Sequence, residues 1–255
     1  MMESLEDSHH RCYYLLSAED EKAVILAAMV NFHTYTCVRF VPADHAFVKA
    51  ILVIEKLPGE SGCKSYIGFN TPRLTFLNSA NCLLHGIIQH ELMHVLGFDH
   101  EHKRPDRDDF VKVHLENVVG KAYYDSFNKL PWSEVDETVK QTRYDYGSVM
   151  HYGWDAFSKG KSKLKTLEAL DASALSVMGQ RTSLSYSDIK KINVFYGCPE
   201  YRPEFAPSIT DFGAPSNPFS CNFDQDWCGW RQQMSNLMPA YYKDSGESVP
   251  KWKAD

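Results

Sequence analysis

His90, Glu91, His94 and His100 are the residues of this chain whose types and spacing could do chemistry together. Two histidines four residues apart on a helix share one face, so both imidazoles can reach a single ion. Glu91 sits about 100° round the axis from His90. That places its carboxylate beside such an ion rather than on it, where it can take a proton from a water that the ion activates. His100 cannot join the pair if the helix continues, because it would lie roughly 9 Å further along the axis and off the shared face. Gly97 offers the way round: glycine adopts the left-handed backbone that stops a helix, and the chain can then fold back and bring His100 under the other two rings. Three neutral imidazoles with a fourth position open describe a catalytic centre with one Zn2+ per chain, not a closed structural one.

A second stretch, Tyr144-Asp145-Tyr146-Gly147-Ser148-Val149-Met150-His151-Tyr152, combines a glycine turn with a methionine and a tyrosine. It can simply fill a core, or its tyrosine can bind a metal or donate to an oxyanion; spacing alone leaves both open. The charge run Glu101-His102-Lys103-Arg104-Pro105-Asp106-Arg107-Asp108-Asp109 is a solvated face or, because it follows His100 directly, a set of buried Arg–Asp pairs bracing the site. His33, His45, His85, His102, His114 and His151 carry no ligand spacing and read as surface or packing residues.

These side chains need elements to position them. Leu83, Leu84, Ile87, Ile88, Leu92, Val95 and Leu96 predict a helix buried on most of its circumference, starting near Cys82. Ser17-Ala18-Glu19-Asp20 reads as a capping box opening a helix through about Phe32, with Val24, Ala28, Met29 and Phe32 towards the core. Val38-Arg39-Phe40-Val41, Ile51-Leu52-Val53-Ile54 and Arg73-Leu74-Thr75-Phe76-Leu77 read as strands, with a turn at Gly59-Glu60-Ser61-Gly62. If Arg73–Leu77 lies at a sheet edge, it offers backbone groups to an extended peptide; the alternative is that a loop covers it. Residues 132–142 suggest a short surface helix and loop. Ser185-Tyr186-Ser187-Asp188 opens a last helix with Ile189, Ile192 and Phe195 on one face and Gly197 at its stop, and Pro203, Pro207, Pro215 and Pro218 mark a linker beyond it.

A length of 255 residues suits one large domain or two small ones. A net charge of -6 without any basic block makes nucleic acid and anionic membrane poor partners, and no apolar run approaches membrane-spanning length. Seven cysteines with no C-x-x-C pair point to a disulfide framework and an oxidising compartment. The polar, acidic start, Met1-Met2-Glu3-Ser4-Leu5-Glu6-Asp7, is not a signal peptide, and the expectation is an incomplete or alternative product.

Taken together, His90 to His100 followed by Glu101 and then Arg104-Pro105-Asp106-Arg107-Asp108 resembles the astacin family of zinc endopeptidases, within the metzincins. Ser148-Val149-Met150-His151-Tyr152 is similar to that family's Met-turn. The resemblance covers roughly residues 17–198 and includes Cys63-Lys64-Ser65-Tyr66-Ile67-Gly68 and Gly86. It implies an α+β, metzincin-like fold: an N-terminal twisted mixed sheet with two long helices, then a largely irregular C-terminal subdomain ending in a helix. It implies that His90, His94 and His100 bind zinc, that Glu91 polarises the attacking water and passes its proton to the leaving amine, and that Met150 forms a hydrophobic floor. Tyr152 would be a further zinc ligand that swings away to stabilise the tetrahedral intermediate. Disulfides Cys37–Cys198 and Cys63–Cys82 are implied as well, and so is a buried N-terminus near Glu101. The family's first strand is rich in Trp, Pro and Tyr, whereas this chain has His9-His10-Arg11-Cys12-Tyr13-Tyr14. Residues 1–16 are therefore expected to be an atypical segment, with the first strand missing or replaced, ahead of a protease domain over 17–198. Cys12 is the odd cysteine, either a thiolate that blocks the zinc or a leftover outside the disulfide framework.

Cys221-Asn222-Phe223-Asp224-Gln225-Asp226-Trp227-Cys228-Gly229-Trp230 resembles the opening of a MAM domain, an extracellular adhesion module, with Cys221–Cys228 as its implied disulfide. This makes residues 199–220 a linker and 221–255 an incomplete MAM-like segment, too short for a core of its own. The expectation is a secreted or extracellular zinc endopeptidase that takes polypeptide substrates along Arg73–Leu77. The competing reading is a catalytically impaired or inactive truncated protease acting as a zinc-containing interaction protein; a weaker third is a metzincin that cleaves a non-protein amide.

Overall fold

Short runs rich in Val, Ile, Leu and Phe form strands here, because branched and aromatic side chains pack well on a pleated surface. The computed structural model describes residues 11–16, 21–42, 52–55, 62–68, 73–77, 80–160 and 164–198. Five strands, β1 (Arg11–Leu16), β2 (Arg39–Pro42), β3 (Leu52–Glu55), β4 (Cys63–Ser65) and β5 (Arg73–Leu77), make one sheet in the order β2-β1-β3-β5-β4. The neighbours β2, β1, β3 and β5 pair in parallel, and β4 returns antiparallel to β5 with Cys63 opposite Leu77.

This order corrects two expectations. The segment Arg11–Leu16 lies inside the domain, not ahead of it: it is hydrogen-bonded to β2 on one side and β3 on the other. Sequence position 17 is therefore not where the fold begins. Arg73–Leu77 has the predicted bounds but is not an edge, since β3 occupies one side (Leu52 opposite Arg73) and β4 the other. The edge on that side of the sheet is β4, a three-residue strand that the sequence reading did not pick out.

Helix α1 (Lys22–Tyr35) buries Ile25, Ala28, Met29 and Phe32, with Val24 packed partly against them. It runs a turn beyond Phe32 and starts behind Glu21 without a side-chain cap; the proposed capping box at 17–20 lies outside the described residues. Helix α2 (His85–Val95) is buried at every position from Ile88 to Val95. A 3-10 turn, Ala80–Leu83, precedes it. Leu84 falls at the N-cap in extended backbone, so its side chain leaves the apolar stripe and is 48% exposed, contrary to the predicted burial. Against these two helices pack Val38, Phe40, Leu52, Ile54 and the thiol of Cys12, which thereby sits in the main core and not among the histidines.

Beyond residue 96 the chain is mostly turns around a smaller core of Val111, Val118, Phe127, Tyr144, Leu167 and Met178. A two-stranded ribbon, β6 (Val111–Val113) against β7 (Leu167–Ala169), and a one-turn helix, α3 (Glu137–Lys140), are its regular parts. The last helix, α4 (Tyr186–Phe195), opens with a complete Ser185/Asp188 capping box, and Gly197 follows it at φ +59°. Ile189 and Ile192 are buried, but Phe195 is 43% exposed, its ring lying 5.5 Å from that of Phe98 on the rim of the core. Disulfides join Cys37, after α1, to Cys198, after α4, and Cys63, in β4, to Cys82, before α2. The Cys221–Cys228 pair lies outside the described residues. The content is α+β, and among the described residues no helix is long and apolar enough to cross a membrane.

Candidate metal centre

Helix α2 stops where glycine allows it to. Gly97 stands at φ +101°, and its N–H donates to the His94 carbonyl at 2.9 Å, while the Phe98 N–H reaches back to Met93 O at 3.1 Å. Gly68 donates to the same His94 carbonyl at 2.9 Å. The reversal brings His100 to ring-centroid distances of 5.1 Å from His90 and 4.6 Å from His94, which are themselves 4.6 Å apart. One ligand atom from each of the three lies within 4.8 Å of the others.

Each imidazole is oriented through its Nδ1. His90 Nδ1–H donates to Val149 O at 2.8 Å and His94 Nδ1–H to Phe98 O at 2.8 Å. His100 Nδ1 is 3.3 Å from the Asp99 carboxylate, which Lys103 holds in turn at 2.6 Å. Since a carbonyl or carboxylate can only accept, each Nδ1 carries the proton and each Nε2 keeps its lone pair for the shared centre. Burial pushes all three imidazoles down, His94 to about 3, so they are held in the neutral, ligating form. Three neutral nitrogen donors converging with room for a fourth ligand fit zinc.

Glu91 is 3% exposed. Burial pushes its carboxyl up to about 7, against the opposing pull of a hydrogen bond from Ser65 and the charge of Arg181. Its Oε2 is buried and has no hydrogen-bond partner among the described residues. A buried carboxylate oxygen left over beside a donor triad has a cost that a substrate or solvent proton would relieve. Tyr152 reaches the same place from the other subdomain: its ring is 4.4 Å from that of His100 and stacks on His102 at 4.0 Å. Its phenol, hydrogen-bonded to Ser126, is pushed up to about 12 by burial and is a proton donor at neutral pH. Met150 is buried in the main core, and its carbonyl accepts from the Glu101 N–H at 3.1 Å.

The structure thus gathers His90, Glu91, His94, His100 and Tyr152, and of the two readings of the charge run it realises the bracing one. Arg104 is buried, with a fork of hydrogen bonds to Asp106 at 2.9 and 2.7 Å and Glu101 3.5 Å away; Arg107, buried as well, bonds the carbonyls of His102 and Phe127. Glu101 pairs with Lys191 of α4 and accepts the Asp145 N–H at 3.0 Å; the N-terminus that the family resemblance would place near it lies outside the described residues. Other described histidines serve packing or the surface: His151 accepts from Tyr144 Oη at 2.6 Å and donates to Tyr152 O, His33 accepts the Phe40 N–H at 2.9 Å, and His114 lies 3.0 Å from both Glu116 and Glu168. His45 lies outside the described residues.

Sequence reasoning did not single out Ser65, Arg181 or Lys191, which reach the site through tertiary contacts with no local pattern, nor Asp99, which adjoins His100 in the chain. Asp188 was legible, but only as the last residue of a capping box.

Residues 7–197 match the family model described as Astacin, a peptidase family. The chain is 39% identical over 180 residues to the low choriolytic enzyme of Oryzias latipes, which covers 70% of this chain and 61% of that protein. It is 40% identical over 188 residues to the zinc metalloproteinase nas-14 of Caenorhabditis elegans, covering 71% of this chain and 35% of that one. This chain therefore spans less than two thirds of either relative. Among solved structures, that of high choriolytic enzyme 1, a hatching enzyme zinc-protease from Oryzias latipes, superposes with a TM-score of 0.68 at 34% identity, covering 77% of this chain and 94% of that one. With its histidine triad, its sheet and these likenesses in agreement, the chain belongs to the astacin family of peptidases.

Proposed function

We propose that this chain is a zinc-dependent endopeptidase that hydrolyses peptide bonds in extended polypeptides. The observation that carries the reading is the convergence of His90, His94 and His100 within 4.8 Å beside Glu91, whose buried Oε2 has no partner among the described residues. The likeness to proteins named as zinc metalloproteinases and as a hatching enzyme zinc-protease supports it. His90, His94 and His100 would hold the ion, with Tyr152 as a further, exchangeable ligand. When bound, zinc would supply Lewis acidity, polarising the scissile carbonyl and making a water more acidic.

The chain's own residues do the rest. Glu91 takes the proton from the attacking water and passes it to the leaving amine; a carboxyl pushed up to about 7 is matched to both transfers near neutrality. The Ser65 hydroxyl holds that carboxylate, and the Tyr152 phenol donates to the developing oxyanion. Ser65 belongs to β4, the sheet's edge beside Glu91, so an extended substrate would add there as an antiparallel strand, not along Arg73–Leu77. Two disulfides favour an oxidising, extracellular setting, in keeping with the MAM-like reading of residues 221–230.

The test is elemental analysis of the purified chain together with hydrolysis of an unfolded protein, with and without a chelator. One zinc per chain and cleavage abolished by the chelator and restored by zinc are expected. Absence of stoichiometric metal, or cleavage indifferent to the chelator, overturns the reading; bound zinc without cleavage selects the zinc-containing interaction protein instead.

A further inference from the structure

Helix α4 carries two fully buried charged residues one turn apart, Asp188 and Lys191, and both face the segments that hold the histidines. We propose that they are positioning residues for the zinc triad: Asp188 acts on His90 through the turn 148–150, and Lys191 acts on His100 through Glu101. The inference rests on the zinc reading above.

Asp188 does more than cap its helix. A capping box needs its carboxylate only to return to the Ser185 N–H, here at 2.9 Å. The same carboxylate also accepts the Val149 N–H at 2.8 Å and the Ser148 hydroxyl at 2.6 Å, from a segment some forty residues earlier. Ser148 Oγ in turn accepts the Met150 N–H at 3.0 Å. The Met150 N–H and the Val149 C=O belong to one planar peptide unit, so fixing one end fixes the other. That carbonyl is the acceptor for His90 Nδ1–H at 2.8 Å. An unbroken line therefore runs from the α4 carboxylate through a hydroxyl and a peptide plane to a ligand imidazole.

Lys191 makes the matching contact three residues on. Its ammonium pairs with Glu101, and both side chains are at most 4% exposed. Glu101 follows His100 directly, its N–H donates to Met150 O at 3.1 Å and its Oε1 accepts the Asp145 N–H at 3.0 Å. The two α4 side chains thus grip Met150 from either side of its backbone, one through its N–H and one through its C=O, and through it the turn that orients His90 and the segment that carries His100. Groups that orient ligand imidazoles are worth about 10–100-fold in metal affinity.

The test is zinc affinity, measured by competition with a chromophoric chelator and backed by the visible spectrum of the Co2+-substituted chain. Asp188→Ala and Lys191→Met are expected to bind zinc about tenfold or more weakly and to shift the cobalt bands. Asp188→Asn, which keeps an acceptor for the Val149 N–H, is expected to recover most of the affinity. Asn193→Ala is the control, because Asn193 is equally buried on α4 but bonds Tyr35 O at 2.7 Å, away from the histidines. It should lower the melting temperature and leave zinc affinity and the cobalt spectrum unchanged. Should Asp188→Ala fail to fold, Ser148→Ala, which deletes only the bridging hydroxyl, carries the same expectation. Variants that bind zinc as tightly as the parent, or no more weakly than Asn193→Ala, overturn the proposal while leaving the function intact. A parent that takes up no zinc removes both.

Discussion

Glu91 can be separated from the metal by a single atom. Glu91→Gln keeps the shape and the Ser65 contact but not the basicity, so zinc content is expected to stay at parent level while turnover falls by about 10²–10⁴-fold. Elemental analysis beside a peptide-cleavage assay checks this, and a variant that retains activity takes the base role away from Glu91. A second residue sets a pH dependence. Burial pushes His33 from 6.5 down to about 4, and its ring accepts the Phe40 N–H. The unfolded chain takes up a proton near 6.5 and the folded one does not, so stability that is intact above that pH is lost as pH falls from about 6.5 to about 4. His33→Gln offers an acceptor that does not titrate, and should recover about 2–3 kcal/mol of that acid loss in urea unfolding at pH 4.5 relative to pH 7. Equal losses in parent and variant would count against the assignment. The four residues of the centre were legible in sequence because their geometry is local: one helix, one glycine and three residues beyond. Ser65, Arg181 and Lys191 were not, because strand pairing and helix docking bring them in.

Helix α2 must lie against the chain at 181–182 to present its histidines, and Gly86 is where the two meet. A Cβ there would stand 2.0 Å from Arg181 O and 2.2 Å from Arg181 C, both backbone atoms that cannot turn aside. Alanine is otherwise favoured over glycine within a helix by about 1 kcal/mol, so the sign of Gly86→Ala tells which effect wins. Destabilisation of about 3 kcal/mol or more is expected, read as a lower melting temperature; a rise would show that the helix can shift at no cost. The same distinction governs what could be read of the elements. The bounds of Arg73–Leu77 and the start of α4 followed from alternation and capping, which are encoded within a few residues. The place of Arg11–Leu16 between β2 and β3, and the edge role of β4, are decided by pairing between distant segments that no local pattern records. Leu84 and Phe195 fit an apolar stripe yet fall at helix ends, where the chain turns the side chain outwards.

For the molecule as a whole, the candidate metal centre draws on both parts of the chain: His90 and His94 come from the sheet-and-helix part, Tyr152 and the Val149 carbonyl from the irregular part. An ion bound only in the folded state should stabilise the whole domain by about 4 kcal/mol when present at a thousand times its dissociation constant. Chelation is therefore expected to lower the midpoint of thermal unfolding by several degrees, and an unchanged midpoint would show the centre to be no part of the fold's stability. Covalent ties add to this. The Cys37–Cys198 bond closes a loop of sequence separation 161, within which Cys63–Cys82 closes one of 19, each contributing about 2–4 kcal/mol.

The longer of those loops has a consequence for how damage to the molecule would show itself. A peptide bond severed anywhere between Cys37 and Cys198, for instance on the exposed stretch around Trp132, leaves two fragments that cannot diffuse apart. Such nicked molecules would keep the mobility of intact chains on a non-reducing gel and fall into two bands only when a thiol is added.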